Sequence, residues 1–382
     1  MNRMSASEYR GNEFATAWQP GISAPEDSAI VSVFDSQRSK TRTLRAELAS
    51  AASAYGAFEW VALGYLAISS TLIVIFAANL AHPLRLLSVQ ILVALLIAAL
   101  CRAEANVWTP ASTSLTAGEE RTAPSAGLGA SRNGCPTVTQ RFWHFWRHWY
   151  PHLFFLFCFE ELGTLVHLVS PRWQDAKLIA FDHWLTGVHP AIWLEQFATP
   201  ARNEFMQFAY LTYFVYLLVL GGILYYREDW RGYWSVMTYS AVAYAIGYMI
   251  AVFLPIESPW FAMARSWHGE LHGGPFTAVI DFIEHYGRVR GAAFPSEHVA
   301  GSVAALWGAW RHRRWLFWVM LPLVLCMCVS TVWGRYHYVA DIFGGMVTGT
   351  LGYVIGAWLM RKREEIRSCE WKADSAESLV RQ

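Results

Sequence analysis

Long apolar runs recur along the chain, and shorter polar and charged segments separate them. Many runs approach the roughly twenty residues that a helix needs to cross a bilayer core. The pattern predicts spans at Phe58–Leu80, Leu84–Cys101, Pro151–Val169, Phe205–Tyr226, Tyr233–Leu254, Val299–Trp310, Leu316–Trp333 and Val339–Met360. The expected fold is therefore all-α: a polytopic helical membrane protein with about eight transmembrane helices.

The spans and the polar segments divide the chain into five predicted regions. They are a disordered or amphipathic cytoplasmic N-terminal region (1–56), a two-helix membrane hairpin (57–101), a cytoplasmic linker (102–140), a six-helix domain (141–362) and a cytoplasmic tail (363–382). Inside the six-helix domain, the segment from Asp175 to Pro200 is amphipathic and too polar to cross a membrane. We expect one or two helices there, lying on the membrane surface.

Composition narrows the class of protein further. Of the 382 residues, 54% are hydrophobic and 15% are charged, as expected for a protein with many spans. The formal net charge of +1 predicts no nucleic-acid partner. The six cysteines lack the spacing of a metal knuckle, and we expect free thiols. No cleavable signal is recognisable at the start, so the first span should remain as an anchor.

The distribution of basic residues predicts the orientation. With the N-terminus inside, the cytoplasmic side receives Arg102, Arg141, Arg147, Arg227, Arg231, Arg311, Arg313, Arg314, Arg361, Lys362 and Arg363. The positive-inside rule then places both termini in the cytoplasm, and the expected location is the plasma (inner) membrane. His298 and His337 each begin a span on the opposite side, so both would open on the non-cytoplasmic face.

Chemistry-bearing residues concentrate between Arg288 and Asp341. Ser296 follows a proline and is well placed to cap the helix that carries His298. His337 and Asp341 are four residues apart, so on a helix they share a face. Such a stretch supplies a base, a carboxylate that orients it, a second imidazole, nearby arginines and helix N-termini that suit a phosphate. It predicts phosphoryl transfer at a membrane surface.

Two motifs in this stretch carry a family resemblance. Phe294-Pro295-Ser296-Glu297-His298 resembles the Pro-Ser-x-His motif of the type 2 phosphatidic acid phosphatase superfamily. Residues 330–341 are similar to its motif Ser-Arg-x5-His-x3-Asp, although Thr331 stands at the arginine position. Arg335, two residues before the histidine, gives the form found in the inositol phosphorylceramide synthase-like branch. A further family motif, Lys-x6-Arg-Pro, is essentially missing, and Ala251 falls where its lysine would be.

The resemblance implies a six-helix catalytic bundle of the lipid phosphatase or phosphotransferase type, formed from the third span onward. It implies that His337 is the nucleophile, that Asp341 orients it, and that His298 is the general acid and base. Ser296, Arg335 and Arg290 would bind the substrate phosphate. No metal and no cofactor are expected. The expected partners are membrane lipids and a phospholipid or lipid-diphosphate substrate.

Three functions stay open at this stage. The protein could be a hydrolase of lipid phosphates or diphosphates, a transferase that moves a phospho-headgroup between lipids, or a non-catalytic transporter or scaffold.

Two further groups of polar residues each allow a functional and a structural interpretation. His144, His148 and His152 recur every four residues as a metal stripe would, but the flanking tryptophans favour an interfacial belt. Glu160 and Glu161 should face the bundle interior or water, for hydrogen bonding or for substrate contact.

Overall fold

The computed structural model describes residues 55–108 and 137–380, with side chains described for 55–104 and 137–369. All regular elements in these ranges are helices: α1 (Ala57–Ile75), α2 (Pro83–Trp108), α3 (Val138–Leu165), α4 (Asp175–Thr186), α5 (Pro190–Glu195), α6 (Pro200–Leu211), α7 (Tyr213–Tyr226), α8 (Trp230–Phe253), α9 (Pro259–Ala262), α10 (Pro275–Gly287), α11 (Glu297–His312), α12 (Arg314–Trp333) and α13 (Val339–Val380). The all-α prediction is confirmed for this part of the chain. The predictions for most of 1–56 and of the linker 102–140 fall outside the described residues.

Helices long and apolar enough to cross a membrane number six among the described residues. They are Ala57–Ile75, Pro83–Glu104, Pro200–Tyr226, Trp230–Phe253, Arg314–Trp333 and Val339–Cys369. The predicted count of eight is not confirmed. The predicted third span lies in α3, which carries charged residues, and the sixth lies in α11, which has only 16 residues. The six are compatible with an integral membrane protein.

Helix α11 lies at the centre of the described bundle and contacts α8, α12 and α13. Two glycines of α13 allow the close approach. A Cβ atom at Gly345 would lie 2.5 Å from the carbonyl oxygen of Ser296, and one at Gly349 would lie 2.5 Å from that of Ala300. Small residues four apart let two helix backbones meet. The backbones of α11 and α13 are therefore held together directly beneath the two histidines.

A buried ion-pair network joins α1 and α2 to α3. Arg147, which is 5% exposed, lies 2.7 Å from a carboxylate oxygen of Glu59 and 3.3 Å from one of Glu104. Tyr150 donates a hydrogen bond of 2.6 Å to Glu59. Buried charges are tolerated when they are paired and hydrogen-bonded in this way. The network fixes the N-terminal hairpin against the rest of the bundle.

The same network includes two of the three histidines that recur every four residues. The ligand atoms of Glu104, His144 and His148 lie within 4.8 Å of one another, which is close enough to hold a metal ion. The guanidinium of Arg147 already pairs with Glu104, and a neighbouring cation opposes the binding of a second one. His148 is 3% exposed, and its ring packs against Trp230. Ion pairing and ring packing therefore account for these side chains.

Candidate active site

The two histidines predicted to act in catalysis meet at the end of the bundle. His298 is in the first turn of α11, and His337 lies in the short loop before α13. The Nδ1 atom of His298 is 3.2 Å from the Nε2 atom of His337. The two residues are 39 positions apart, and the close packing of α11 against α13 brings them together. Both side chains line the same cavity.

Asp341 lies behind His337, on the side away from His298. Its Oδ2 atom is 3.3 Å from Nδ1 of His337, and it also accepts a hydrogen bond of 2.7 Å from the backbone N–H of Tyr338. The carbonyl oxygen of Ala293 is 2.9 Å from the same ring nitrogen. Because Nδ1 of His337 faces two acceptors, it carries the proton, and Nε2 keeps its lone pair. The lone pair of His337 is thus directed at His298.

His298 has a second partner, Tyr210 of α6. The Tyr210 hydroxyl is 2.8 Å from Nε2 of His298 and 3.1 Å from a carboxylate oxygen of Glu284 in α10. In the neutral arrangement, His298 donates from Nδ1 to His337 and accepts from Tyr210 at Nε2. If His298 gains a proton, Nε2 donates instead, and the hydroxyl turns towards Glu284. Tyr210 therefore provides a partner for His298 in both protonation states.

Ser296 joins the two histidine motifs through hydrogen bonds. Ser296 is the N-cap of α11, and its hydroxyl accepts from the backbone N–H of Val299 at 3.4 Å, as the sequence predicts. The backbone N–H of Ser296 donates to the carbonyl oxygen of Asp341 at 3.0 Å. Ser296 therefore caps α11, which carries His298, and also binds α13, which carries Asp341.

Two buried aspartates of α4 support the loop that carries His337. Asp182 accepts from the backbone N–H groups of Val339 and Ala340 at 2.8 and 2.9 Å, so its carboxylate caps the N-terminus of α13. Asp175 accepts from the Tyr338 hydroxyl at 2.8 Å. Burial raises the pKa of Asp182, and its two backbone donors oppose that rise. Helix α4 was expected only to lie on the membrane surface, yet its acidic residues position the motif of His337.

A cavity of about 430 Å³ opens beside the two histidines. Its walls are mainly apolar and aromatic, and they include Phe155, Leu156, Phe159, Tyr213, Phe214, Leu217, Leu218, Tyr244, Tyr248, Phe261, Ile283 and Val289. In the described part of the chain, Arg288 is the only lysine or arginine in this lining. An apolar cavity with a few convergent polar groups suits an amphiphilic ligand. The arrangement can hold a lipid chain next to a base, an acid and a cation.

The three residues predicted to bind phosphate lie outside the cavity lining. The Ser296 side chain is fully buried in its capping position, and Arg290 forms an ion pair with Glu257. Arg335 pairs with Glu195 and donates to the carbonyl oxygen of Gly269 at 2.7 Å. Phosphate binding by these residues stays a prediction, and the two arginines would have to exchange their present partners for it.

Arg335 also has an unusual backbone and environment. Its φ is +65°, a left-handed conformation that is uncommon for a residue other than glycine. The guanidinium lies 4.4 Å from the ring centroid of Trp267, and the residue is 4% exposed. Burial lowers the pKa of Arg335, while Glu195 acts in the opposite direction. Arg335 therefore holds α5 and the loop that contains Gly269 close to the turn that carries His337.

Three cavity residues had no assigned role from sequence. Tyr210 lies in an apolar run, where no neighbouring residue marks it as part of a site, and Arg288 is one of several arginines in its stretch of the chain. Glu284 forms an ion pair with Arg288 and accepts a hydrogen bond from Tyr210. The spacing of Glu284 and Arg288, four apart on a helix, is the signal that could have linked those two.

Comparison with protein families agrees with the motifs. Residues 176–355 match the PAP2 superfamily. The matched region contains His298, His337 and Asp341, and it leaves out the N-terminal hairpin. Searches of curated proteins and of solved structures gave no match. The similarity suggests a phosphatase-type activity and fits a phosphatase or phosphotransferase enzyme.

Proposed function

We propose that the protein is an integral membrane, metal-independent phosphoric-ester hydrolase that acts on a lipid phosphate or diphosphate. The observation that carries the proposal is the line of side chains from His298 through His337 to Asp341, at 3.2 and 3.3 Å, beside an apolar cavity. The basic loops favour cytoplasmic termini and a reaction at the non-cytoplasmic face of the plasma (inner) membrane.

The first half-reaction uses the lone pair of His337. Its Nε2 atom attacks phosphorus, so that a P–N bond forms while the bond from phosphorus to the leaving oxygen breaks. His298, doubly protonated when the anionic substrate is bound, gives one proton to the leaving oxygen. Asp341 stabilises the charge that develops on the His337 ring. The products are a phosphohistidine and the leaving group, which is a free lipid alcohol from a lipid phosphate and a lipid monophosphate from a diphosphate.

The second half-reaction restores the enzyme. His298, now neutral, takes a proton from water, and the resulting hydroxide oxygen bonds to phosphorus as the P–N bond breaks. Phosphate leaves, His337 regains its lone pair at Nε2, and His298 holds the proton needed for the next cycle. Tyr210 can accept from or donate to His298 at Nε2, so it accommodates both states of that ring.

The charge of the phosphate is balanced by the arginines around the cavity. Arg288 is the best placed, because it lines the cavity and stacks on Trp260 at 4.8 Å. Planar guanidinium groups suit phosphate oxygens, and Arg288 would turn from Glu284 towards the substrate. Arg290 and Arg335 would contribute after release from their own glutamates.

A second candidate is a lipid phospho-headgroup transferase of the inositol phosphorylceramide synthase type. The apolar and aromatic lining of the cavity favours it, since a second lipid can reach the phosphohistidine through such a surface. The first half-reaction is common to both candidates. The difference is the acceptor, which is water in the hydrolase and a lipid or polyol hydroxyl in the transferase.

The test is turnover by the purified protein on a panel of radiolabelled lipid phosphates and diphosphates. The panel is assayed with and without an added lipid alcohol or polyol. Release of inorganic phosphate that does not depend on the alcohol supports the hydrolase. Label that appears in a new phosphoester only when the alcohol is present supports the transferase. No turnover of any phosphoester would contradict both.

A further inference from the structure

Glu297 is a buried carboxylate that the two half-reactions do not use. The residue is 4% exposed, and neither carboxylate oxygen has a hydrogen-bond partner among the described residues. It is the neighbour of His298 in the first turn of α11, and its side chain lines the same cavity. A buried charge without a partner is costly, so such groups are usually paired, neutralised by a proton or satisfied by a ligand.

The surroundings of Glu297 make room for this carboxylate. A Cβ atom at Gly247 of α8 would fall 1.8 Å from its Oε1 atom, so the carboxylate occupies space that the glycine leaves open. Tyr244 and Tyr248 of the same helix stack with ring centroids 5.9 Å apart and planes at 9°. The hydroxyl groups of Tyr213 and Tyr244 are 3.2 Å apart, and all three tyrosines line the cavity.

The acidic residues of the cavity lining differ in whether they have a partner. Its acidic residues, among those that the structure describes, are Glu160, Glu257, Glu284 and Glu297. Glu284 pairs with Arg288, and Glu257 pairs with Arg290. Glu160 is exposed, so water can solvate it. Glu297 is therefore the acidic residue of the described lining that has neither an ion-pair partner nor contact with solvent. A cation on the ligand would supply the partner that Glu297 lacks among the described residues.

We propose that Glu297 binds an ammonium group on the substrate, and that the protein prefers phosphoesters with an amine close to phosphorus. This inference rests on the proposed function. The carboxylate would form a charge-assisted hydrogen bond with the amine, and the faces of Tyr244 and Tyr248 would add cation–π attraction. The ammonium can belong to the lipid backbone, as in a long-chain 2-amino-alcohol phosphate, or to a headgroup, as in a lipid phosphoethanolamine.

The first test compares kcat/KM for two substrates of equal chain length. One is a long-chain 2-amino-alcohol phosphate, and the other is the same phosphate without the amine. We expect the wild type to prefer the amine by about tenfold or more, because a bond between charged groups is lost in the other substrate. Glu297→Gln should abolish the preference. Glu161→Gln, a change at a buried glutamate outside the cavity lining, should retain it.

The second comparison uses another pair of substrates. They are a lipid phosphoethanolamine and its analogue with a hydroxyl in place of the amine. An amine preference in this pair alone assigns the ammonium to the headgroup, and a preference in the first pair alone assigns it to the lipid backbone. Equal rates within both pairs would overturn the proposal. A preference that persists in Glu297→Gln would overturn it as well. The comparison of substrates with the wild-type protein tests the proposal even when Glu297→Gln does not fold.

A binding measurement separates this inference from the proposed function. A long-chain alkylammonium carries no phosphate, so its binding does not require turnover. In a non-ionic detergent it should raise the thermal unfolding temperature of the wild type more than the matched alkyl alcohol does, and Glu161→Gln should behave like the wild type. Equal effects of the two compounds would overturn the ammonium site. Selective stabilisation without turnover of any phosphoester would keep the site and refute the hydrolase.

Discussion

The Nδ1 atom of His298 lies 3.2 Å from the Nε2 atom of His337, so the proposed acid and nucleophile are in contact before substrate binds. The contact occupies the lone pair that the nucleophile needs. A transferring phosphoryl group must therefore enter between the two rings and replace one hydrogen bond. Both rings are then already oriented towards phosphorus, His337 by Asp341 and His298 by Tyr210.

Replacing His337 by alanine should abolish turnover and prevent any covalent phosphoenzyme. Loss of a nucleophile typically reduces the rate by several orders of magnitude. The measurement is acid-quenched labelling with a radiolabelled lipid phosphate, followed by mapping of the labelled peptide. Asp341→Asn serves as the comparison, since it keeps the nucleophile and should form the phosphoenzyme slowly. A label found on His298 and absent from His337 would reverse the assignment of roles.

Replacing His298 by alanine should affect substrates according to their leaving groups. A lipid alcohol leaves poorly unless it receives a proton, whereas an activated aryl phenolate leaves without one. We expect a severe loss of kcat/KM on the lipid phosphate and a much smaller loss on an aryl phosphate. The ratio of the two losses is the readout, and it does not depend on how much protein is active. Equal losses on both substrates would exclude His298 as the general acid.

Replacing Asp182 by alanine should destabilise the loop that carries His337. The change removes two hydrogen bonds to the N-terminus of α13, and the loss of a helix cap costs about 1–2 kcal/mol. Thermal unfolding in detergent should show a lower midpoint, and kcat should fall more than substrate affinity because the nucleophile is displaced. Asp281→Ala, at an exposed position on α10, is the matched control. Unchanged stability and kcat would remove Asp182 from a positioning role.

The proposed orientation can be checked by cysteine accessibility. His272, in the loop before α10, and Arg311, near the end of α11, are both exposed. A single cysteine at position 272 in a cysteine-free protein should react with an impermeant thiol reagent from outside the cell. One at position 311 should react only after permeabilisation. Labelling of both from the same side would contradict the topology and the non-cytoplasmic location of the site.

Local pattern was sufficient for the helical class and for six described helices that are long and apolar enough to cross a membrane. Apolar runs of the right length have few alternatives to a helix in a bilayer, because backbone groups must be satisfied within the segment. The capping role of Ser296 was equally predictable, since a cap depends on residues three positions away. The contact between His337 and Asp341 also joins residues four apart, but His337 lies in the loop before α13 and not on the helix that the spacing suggested.

The partners that come from distant parts of the chain could not be predicted. Tyr210 reaches His298 across 88 residues, and Glu195 holds Arg335 across 140. Such contacts depend on how the helices pack, and packing is decided by the shapes of whole surfaces, which no local spacing encodes. The sequence by itself determined which residues could do chemistry. Only the tertiary structure decided that Arg288 lines the cavity, that Arg335 is paired outside it, and that Glu297 is buried in it without a partner.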